Sequence, residues 1–163
     1  IIYIVIIFLY FLFKTLESIP NLKILAPNHK KRLSIFSFYL ENTHFNLVVK
    51  LLNDRYGIQT RGGCSCAGTY GHFLLNVDQE TSNKIKDQIL EGCSTEKPGW
   101  IRLSMHPTIK DSELDFICNS LKELCENIDE WSSDYSYDAT KNDYVHKTVV
   151  PTEKELVEGW FRI

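Results

Sequence analysis

The hydrophobic pattern divides the chain into three parts. Residues Ile1 to Phe13 (IIYIVIIFLYFLF) are unbroken apolar and aromatic. From Thr15 to about Glu130, short apolar runs alternate with helical periodicity. From Trp131 onward the chain turns polar and aromatic, with no helical period through Asp134-Tyr135-Ser136-Tyr137-Asp138. These limits suggest an apolar segment (1–14), one domain (15–130) and an extension (131–163).

Within the middle part, Leu22 to Leu25 reads as a short strand between the turns at Ile19-Pro20-Asn21 and Pro27-Asn28-His29. Lys31 to Leu40 reads as a second strand. Phe45, Val48, Val49 and Leu52 recur at i, i+3, i+4 and i+7, which predicts a helix over His44 to Tyr56, capped by Thr43 and stopped at Gly57. A strand at Ile58 to Arg61 follows. A helix over Thr81 to Glu91 has Ile85 and Ile89 on its buried side. In Gly99 to Met105, alternation sets Trp100, Arg102 and Ser104 against Ile101, Leu103 and Met105. Thr108 and Asp111 suit a capping box, opening a helix to about Ile128 with Leu114, Ile117, Leu121, Leu124 and Ile128 on one face. A last short helix is expected at Glu153 to Trp160, after Pro151. The predicted fold class is α+β: a small, mainly antiparallel sheet with packed helices.

The N-terminal run is shorter than the roughly 20 apolar residues a spanning helix needs. No basic segment precedes it and no small-residue cleavage site follows, so a secretory signal fits poorly. Three accounts stay open: the end of an anchor continuing upstream, a segment not native to the domain, or a buried structural element. The chain has 163 residues, a size for one domain; it is 44% hydrophobic with a net charge of −3 and no basic stripe, which disfavours nucleic acid as a partner. Five cysteines without a C-x-x-C fit reduced thiols better than a disulfide framework. A cytoplasmic location follows, with residues 1–13 as the feature that would bring the chain to a membrane.

The candidate chemistry lies in R-G-G-C-S-C-A-G-T-Y-G-H, Arg61 to His72. Glycines permit a tight loop, and a nearby cation favours thiolate, the nucleophilic form of cysteine. Read from the residues alone, Cys66 is either a nucleophile or a small packed hydrophobe. Cys64 and Cys66 could also form a redox pair; no complementary ligands point to a metal.

Three stretches together resemble the C-terminal small domain of class-V aminotransferases, in the branch near cysteine desulfurases and selenocysteine lyases. They are R-L-S-I-F-S-F with N-L-V-V-K-L-L-N-D-R-Y-G-I-Q-T-R-G-G-C-S-C-A-G, then G-T-Y-G-H-F-L-L, then K-P-G-W-I-R-L-S-M-H-P-T, covering about Thr15 to Ile128. The resemblance implies part of a homodimeric fold-type-I enzyme that uses pyridoxal 5'-phosphate (PLP) on an amino acid. It also implies a missing large domain that holds the cofactor, since no lysine here matches the cofactor lysine. In the desulfurase pattern the loop reads roughly R-x-G-H-H-C-A. Cys66 then falls on the cysteine that accepts sulfur as a persulfide and releases alanine, and Arg61 assists by its charge as a second substrate-binding cation. Cys64 and Ser65 replace the two histidines, which keeps transamination or another lyase reaction open. Arg102 matches the arginine that clamps the substrate α-carboxylate, a task suited to a guanidinium fork. The fragment alone is expected to be inactive. Two readings of other classes remain, a non-catalytic thiol or redox binding module and a membrane-anchored interaction domain. His72 could line the site; Cys93, Cys118 and Cys125 are expected to be packing residues.

Overall fold

The computed structural model describes residues 2–64, 68–92 and 97–149. Helix α1 (Ile2–Ser18) comes first, then strands β1 (Leu22–Ile24) and β2 (Ile35–Leu40), helix α2 (Phe45–Tyr56) and strand β3 (Arg61–Gly63). Helices α3 (Gly68–Leu74) and α4 (Gln79–Leu90) lead to strand β4 (Trp100–Ser104), the long helix α5 (Asp111–Ser132) and a hairpin of β5 (Tyr135–Asp138) and β6 (Asp143–His146). The main sheet has the order β1-β2-β4-β3 with every pair antiparallel. The α+β class holds. The expected helix at Glu153 to Trp160 lies outside the described residues.

The alternation along β2 and β4 decides which face is the core. Phe36, Phe38 and Leu40 point one way with Ile101 and Leu103, and all are buried against α1, α2 and α5. Ile35, Ser37 and Tyr39 point the other way, on the face shared with Trp100, Arg102 and Ser104. Helix α2 contributes Phe45, Leu47, Val48, Leu51 and Leu52 to the core, and α5 contributes Leu114, Leu121, Leu124 and Ile128. Gly57 ends α2 in the left-handed region (φ 66°), where a residue with a Cβ is strained. Its amide and that of Ile58 bond back to the Asn53 and Leu52 carbonyls, closing the helix end.

The apolar N-terminal run enters this core. Phe8, Leu9, Leu12, Phe13 and Leu16 line the inner side of α1 at i, i+1, i+4, i+5 and i+8, and all are buried. Phe13 meets Phe36 edge-on at 5.6 Å between ring centroids. Helix α1 continues without a break through residue 14 to Ser18. Among the described residues, no helix is long and apolar enough to cross a membrane.

Several local expectations shift. His44, not Thr43, caps α2: its Nδ1 accepts from the Asn46 amide at 3.2 Å. Helix α5 starts at Asp111 rather than Thr108, with the Glu113 carboxylate accepting from the Lys110 amide at 2.8 Å. Thr108 instead pairs with His106. Ile89, expected on the buried side of α4, is exposed, and Ile85 alone is buried there. The tail at 135–146 pairs with itself because its apolar rings alternate with polar residues, a strand pattern. Tyr137 and Tyr144 of the hairpin both pack against the His44 ring.

Three groups tie this packing to pH. Burial pushes Tyr56 up to about 12, with Glu123 adding to it, and raises Tyr135 to about 12, with the Asp54 carboxylate adding to it. Burial also raises the Cys125 thiol to about 12. Unfolded tyrosine titrates near about 10 and cysteine near about 8.5. Between those values and about 12 the unfolded chain has released protons that the folded chain keeps, so stability falls as pH rises. Urea midpoints measured across this range are expected to drop progressively above about pH 9; a flat profile would show that these groups are not buried.

Candidate functional site

The site gathers along β3, one of the two edge strands of the main sheet. A three-residue strand holds here because its partner β4 is central, and the register places Arg61 opposite Arg102, Gly62 opposite Ile101 and Gly63 opposite Trp100. Directly opposed residues of an antiparallel pair share a face, with Cβ atoms only about 4.5–5.5 Å apart. Arg61 and Arg102 are therefore neighbours on the face away from the core, and Ser37 lies across from Arg102 on its other side. Among the described residues, no carboxylate lies within ion-pair distance of either guanidinium. Arg102 is half-buried, and its Nε is shut away from water without a hydrogen-bond partner. Like charges directly opposite each other are destabilising, and a buried unpaired donor costs about 1–3 kcal/mol. A carboxylate between the two arginines would relieve both.

Glycines let this edge pack closely. A Cβ at Gly99 would sit 2.5 Å from the Phe45 ring and 2.9 Å from the Gly63 Cα, so that position accepts no side chain without displacing backbone. A Cβ at Gly71 would stand 3.1 Å from the Trp100 ring, which lets α3 lie over Trp100.

An open cleft of about 690 Å³ runs beside β3. Its walls include Arg61, Cys64, His72, Ser82, Lys86 and Lys97, over an apolar floor of Phe45 and Ile85. Asn142 of the C-terminal hairpin also reaches it, anchored by accepting from the Tyr137 hydroxyl at 2.8 Å. Of the residues the sequence singles out, Arg61 lines the cleft and Arg102 stands beside Arg61 in the sheet. Cys66 and Cys93 lie outside the described residues. His72 lines the cleft and shares a hydrogen bond of 2.9 Å with Ser82 Oγ. Cys118 is buried and Cys125 partly so, as expected of packing residues.

Cys64 is held as a thiol. Its Sγ donates to the Pro98 carbonyl at 2.6 Å. Burial raises its pKa, and the Lys97 charge offsets this only in part. Such surroundings favour the neutral form, the opposite of what a nucleophilic or redox-active cysteine requires. Among the described residues, no three His, Cys, Asp or Glu side chains converge as a metal site would require.

Ser37 and Asn142 are site neighbours that the sequence reading did not select. Ser37 is visible only through the β2–β4 register, and Asn142 only through a hairpin that folds back from outside the domain expected to end at residue 130.

The domain thus carries two arginines side by side across the β3–β4 ladder of an antiparallel sheet packed on helices. The family model for aminotransferase class-V matches residues 9–117, well over half of the chain. The chain belongs to the class-V aminotransferase family. The match begins within the apolar N-terminal run and ends inside α5, so the β5–β6 hairpin lies beyond it. No curated protein gave a significant match.

The family is generally PLP-dependent. A lysine that carries such a cofactor is activated by desolvation in an apolar pocket or by a neighbouring cation. The lysines at the cleft, Lys86 and Lys97, are both exposed. Among the described residues, neither cleft lysine has the desolvated surroundings that a cofactor-bearing lysine needs, so these residues do not fit the cofactor's anchor.

Proposed function

We propose that this chain is the C-terminal small domain of a PLP-dependent class-V enzyme that acts on an amino acid, and that Arg61 and Arg102 grip the substrate carboxylate. The observation that carries this reading is the pair of guanidiniums set across one strand ladder, with no carboxylate near either among the described residues and a buried, unpartnered Nε on Arg102. Two forks converging on one carboxylate fix its orientation as well as its charge. The cofactor and its lysine come from a large domain that pairs with this one, and a homodimer completes the site. The small domain alone is inactive.

Within that reading, Cys66 is the acceptor of sulfur in the desulfurase branch. It comes five residues after Arg61 in the sequence and matches the sulfur-accepting cysteine of the desulfurase pattern. Cys64 does not share this role, since its thiol is engaged by the Pro98 carbonyl.

The test joins this chain to a class-V large domain bearing the cofactor lysine. Cysteine is then supplied under reductant, and alanine and sulfide are measured beside the keto acid formed from other amino acids. Alanine and sulfide that vanish with Cys66→Ser support the desulfurase branch. Keto acid formed equally with and without Cys66 supports transamination. Neither product from a correctly assembled, cofactor-loaded enzyme would contradict the proposal.

A further inference from the structure

Helix α1 has a second face that the core does not use. Ile6, Ile7, Tyr10 and Phe11 recur at i, i+1, i+4 and i+5 and are 55%, 60%, 62% and 44% exposed. Beside them an apolar groove of about 900 Å³ runs between α1 and the loop before β2, lined by Ile6, Leu9, Tyr10 and Phe13. Leu33 stands at its far lip, 78% exposed.

The rim of this groove is cationic. Lys14, Lys30, Lys31 and Arg32 border it against a single carboxylate, Glu17, which pairs with Lys30 at 3.6 Å. The chain as a whole carries −3, so positive charge is concentrated here against the overall balance. The lysines lie along aromatic surface: Lys14 Nζ is 4.9 Å from the Tyr10 ring centre and Lys30 Nζ is 5.3 Å from that of Phe13. Arg32 is turned inward, donating to the His29 carbonyl at 2.7 Å and stacking on Phe13 and Phe36. Lys14 and Lys31 therefore supply the charge that remains free on the surface, with Lys30 shared with Glu17.

We infer that this face docks on an anionic lipid surface, with α1 lying in the plane of the interface rather than crossing it. Exposed aliphatic residues beside aromatic ones, flanked by lysines whose stems run along apolar surface, are the pattern of an interfacial helix. Tyrosine is enriched at that depth. Protein interfaces, by contrast, are depleted in lysine. The apolar stripe supplies burial and the lysines supply attraction to acidic headgroups. Docking of this face does not involve the arginine pair, and it requires the face to stay free when the large domain of the proposed enzyme is joined.

The experiment is co-sedimentation of the full chain with vesicles of phosphatidylcholine alone and of about three parts phosphatidylcholine to one part phosphatidylserine. Binding is expected to the anionic vesicles and to fall steeply between about 0.05 M and about 0.5 M salt. Each lysine removed should weaken partitioning roughly fivefold, so that the triple variant Lys14→Gln/Lys30→Gln/Lys31→Gln loses about a hundredfold. Tyr10→Ser with Leu33→Ser should weaken binding without changing its salt dependence. Circular dichroism and the urea midpoint confirm that these exposed variants fold. Three outcomes would overturn the inference. One is equal binding to neutral and anionic vesicles, or none to either. Another is a dimer in solution that the triple variant dissolves, which would assign the face to a second copy. The last is vesicle binding that disappears once a class-V large domain is joined, which would assign the face to the contact between domains.

Discussion

Replacing Leu12 with alanine is expected to lower folding stability by about 2–5 kcal/mol, a large share of the roughly 5–15 kcal/mol that holds an ordinary domain together. Leu12 has no solvent exposure and sits in one cluster with Phe13, Phe36 and Leu16. The loss combines the transfer energy of the deleted methyl groups with the cavity they leave. Phe36→Ala, from the sheet side of the same cluster, is expected to cost about 3–5 kcal/mol. The outer side of α1 supplies the control: Phe11→Ala, less than a turn from Leu12 but partly exposed, should stay within about 0.5 kcal/mol. Urea unfolding of the three variants checks the pattern. A silent Leu12→Ala would mean that α1 does not belong to the core.

Arg102→Gln is expected to lower kcat/KM of the assembled enzyme by roughly a hundred- to a thousandfold, the usual penalty for leaving a buried charge without its partner. Here the orphaned charge would be the substrate carboxylate. Arg102→Lys keeps the charge but not the fork, so it should recover only part of the loss. Arg61→Gln should cost less, because Arg61 is exposed whereas Arg102 is half-buried. The stability readout separates this role from a structural one. Removing either member of a like-charged cross-strand pair relieves repulsion, so both glutamine variants should be at least as stable as the parent toward urea. An Arg102→Gln variant that unfolds would mean that the arginine supports the fold instead.

Much of this molecule is legible in its sequence. The helical period of Phe45, Val48, Val49 and Leu52 and the alternation of Ile101, Leu103 and Met105 each mark a face turned to the core, so a local pattern was enough to read them; Trp100, on the opposite face of β4, is buried as well, under α3. The helix α3 at Gly-Thr-Tyr-Gly-His was not read, because two glycines in seven residues hide it. It is held by its approach to Trp100, a contact no local pattern encodes. The apolar N-terminal run is ambiguous in sequence for a related reason. Its two sides are equally hydrophobic, so no periodicity distinguishes the side that meets Phe36 from the side that meets solvent. At the site, Arg61 and Arg102 were each identifiable, but their adjacency follows from a β3–β4 register between residues about forty positions apart.

The central claim is that this chain brings the carboxylate-binding arginines and not the cofactor. The most direct measurement is to mix the purified chain with PLP, reduce with borohydride and map the modified lysines by mass spectrometry. The account predicts only weak, distributed labelling of exposed lysines, with none modified to completion. Stoichiometric labelling of a single lysine, accompanied by a visible absorbance band before reduction, would contradict it.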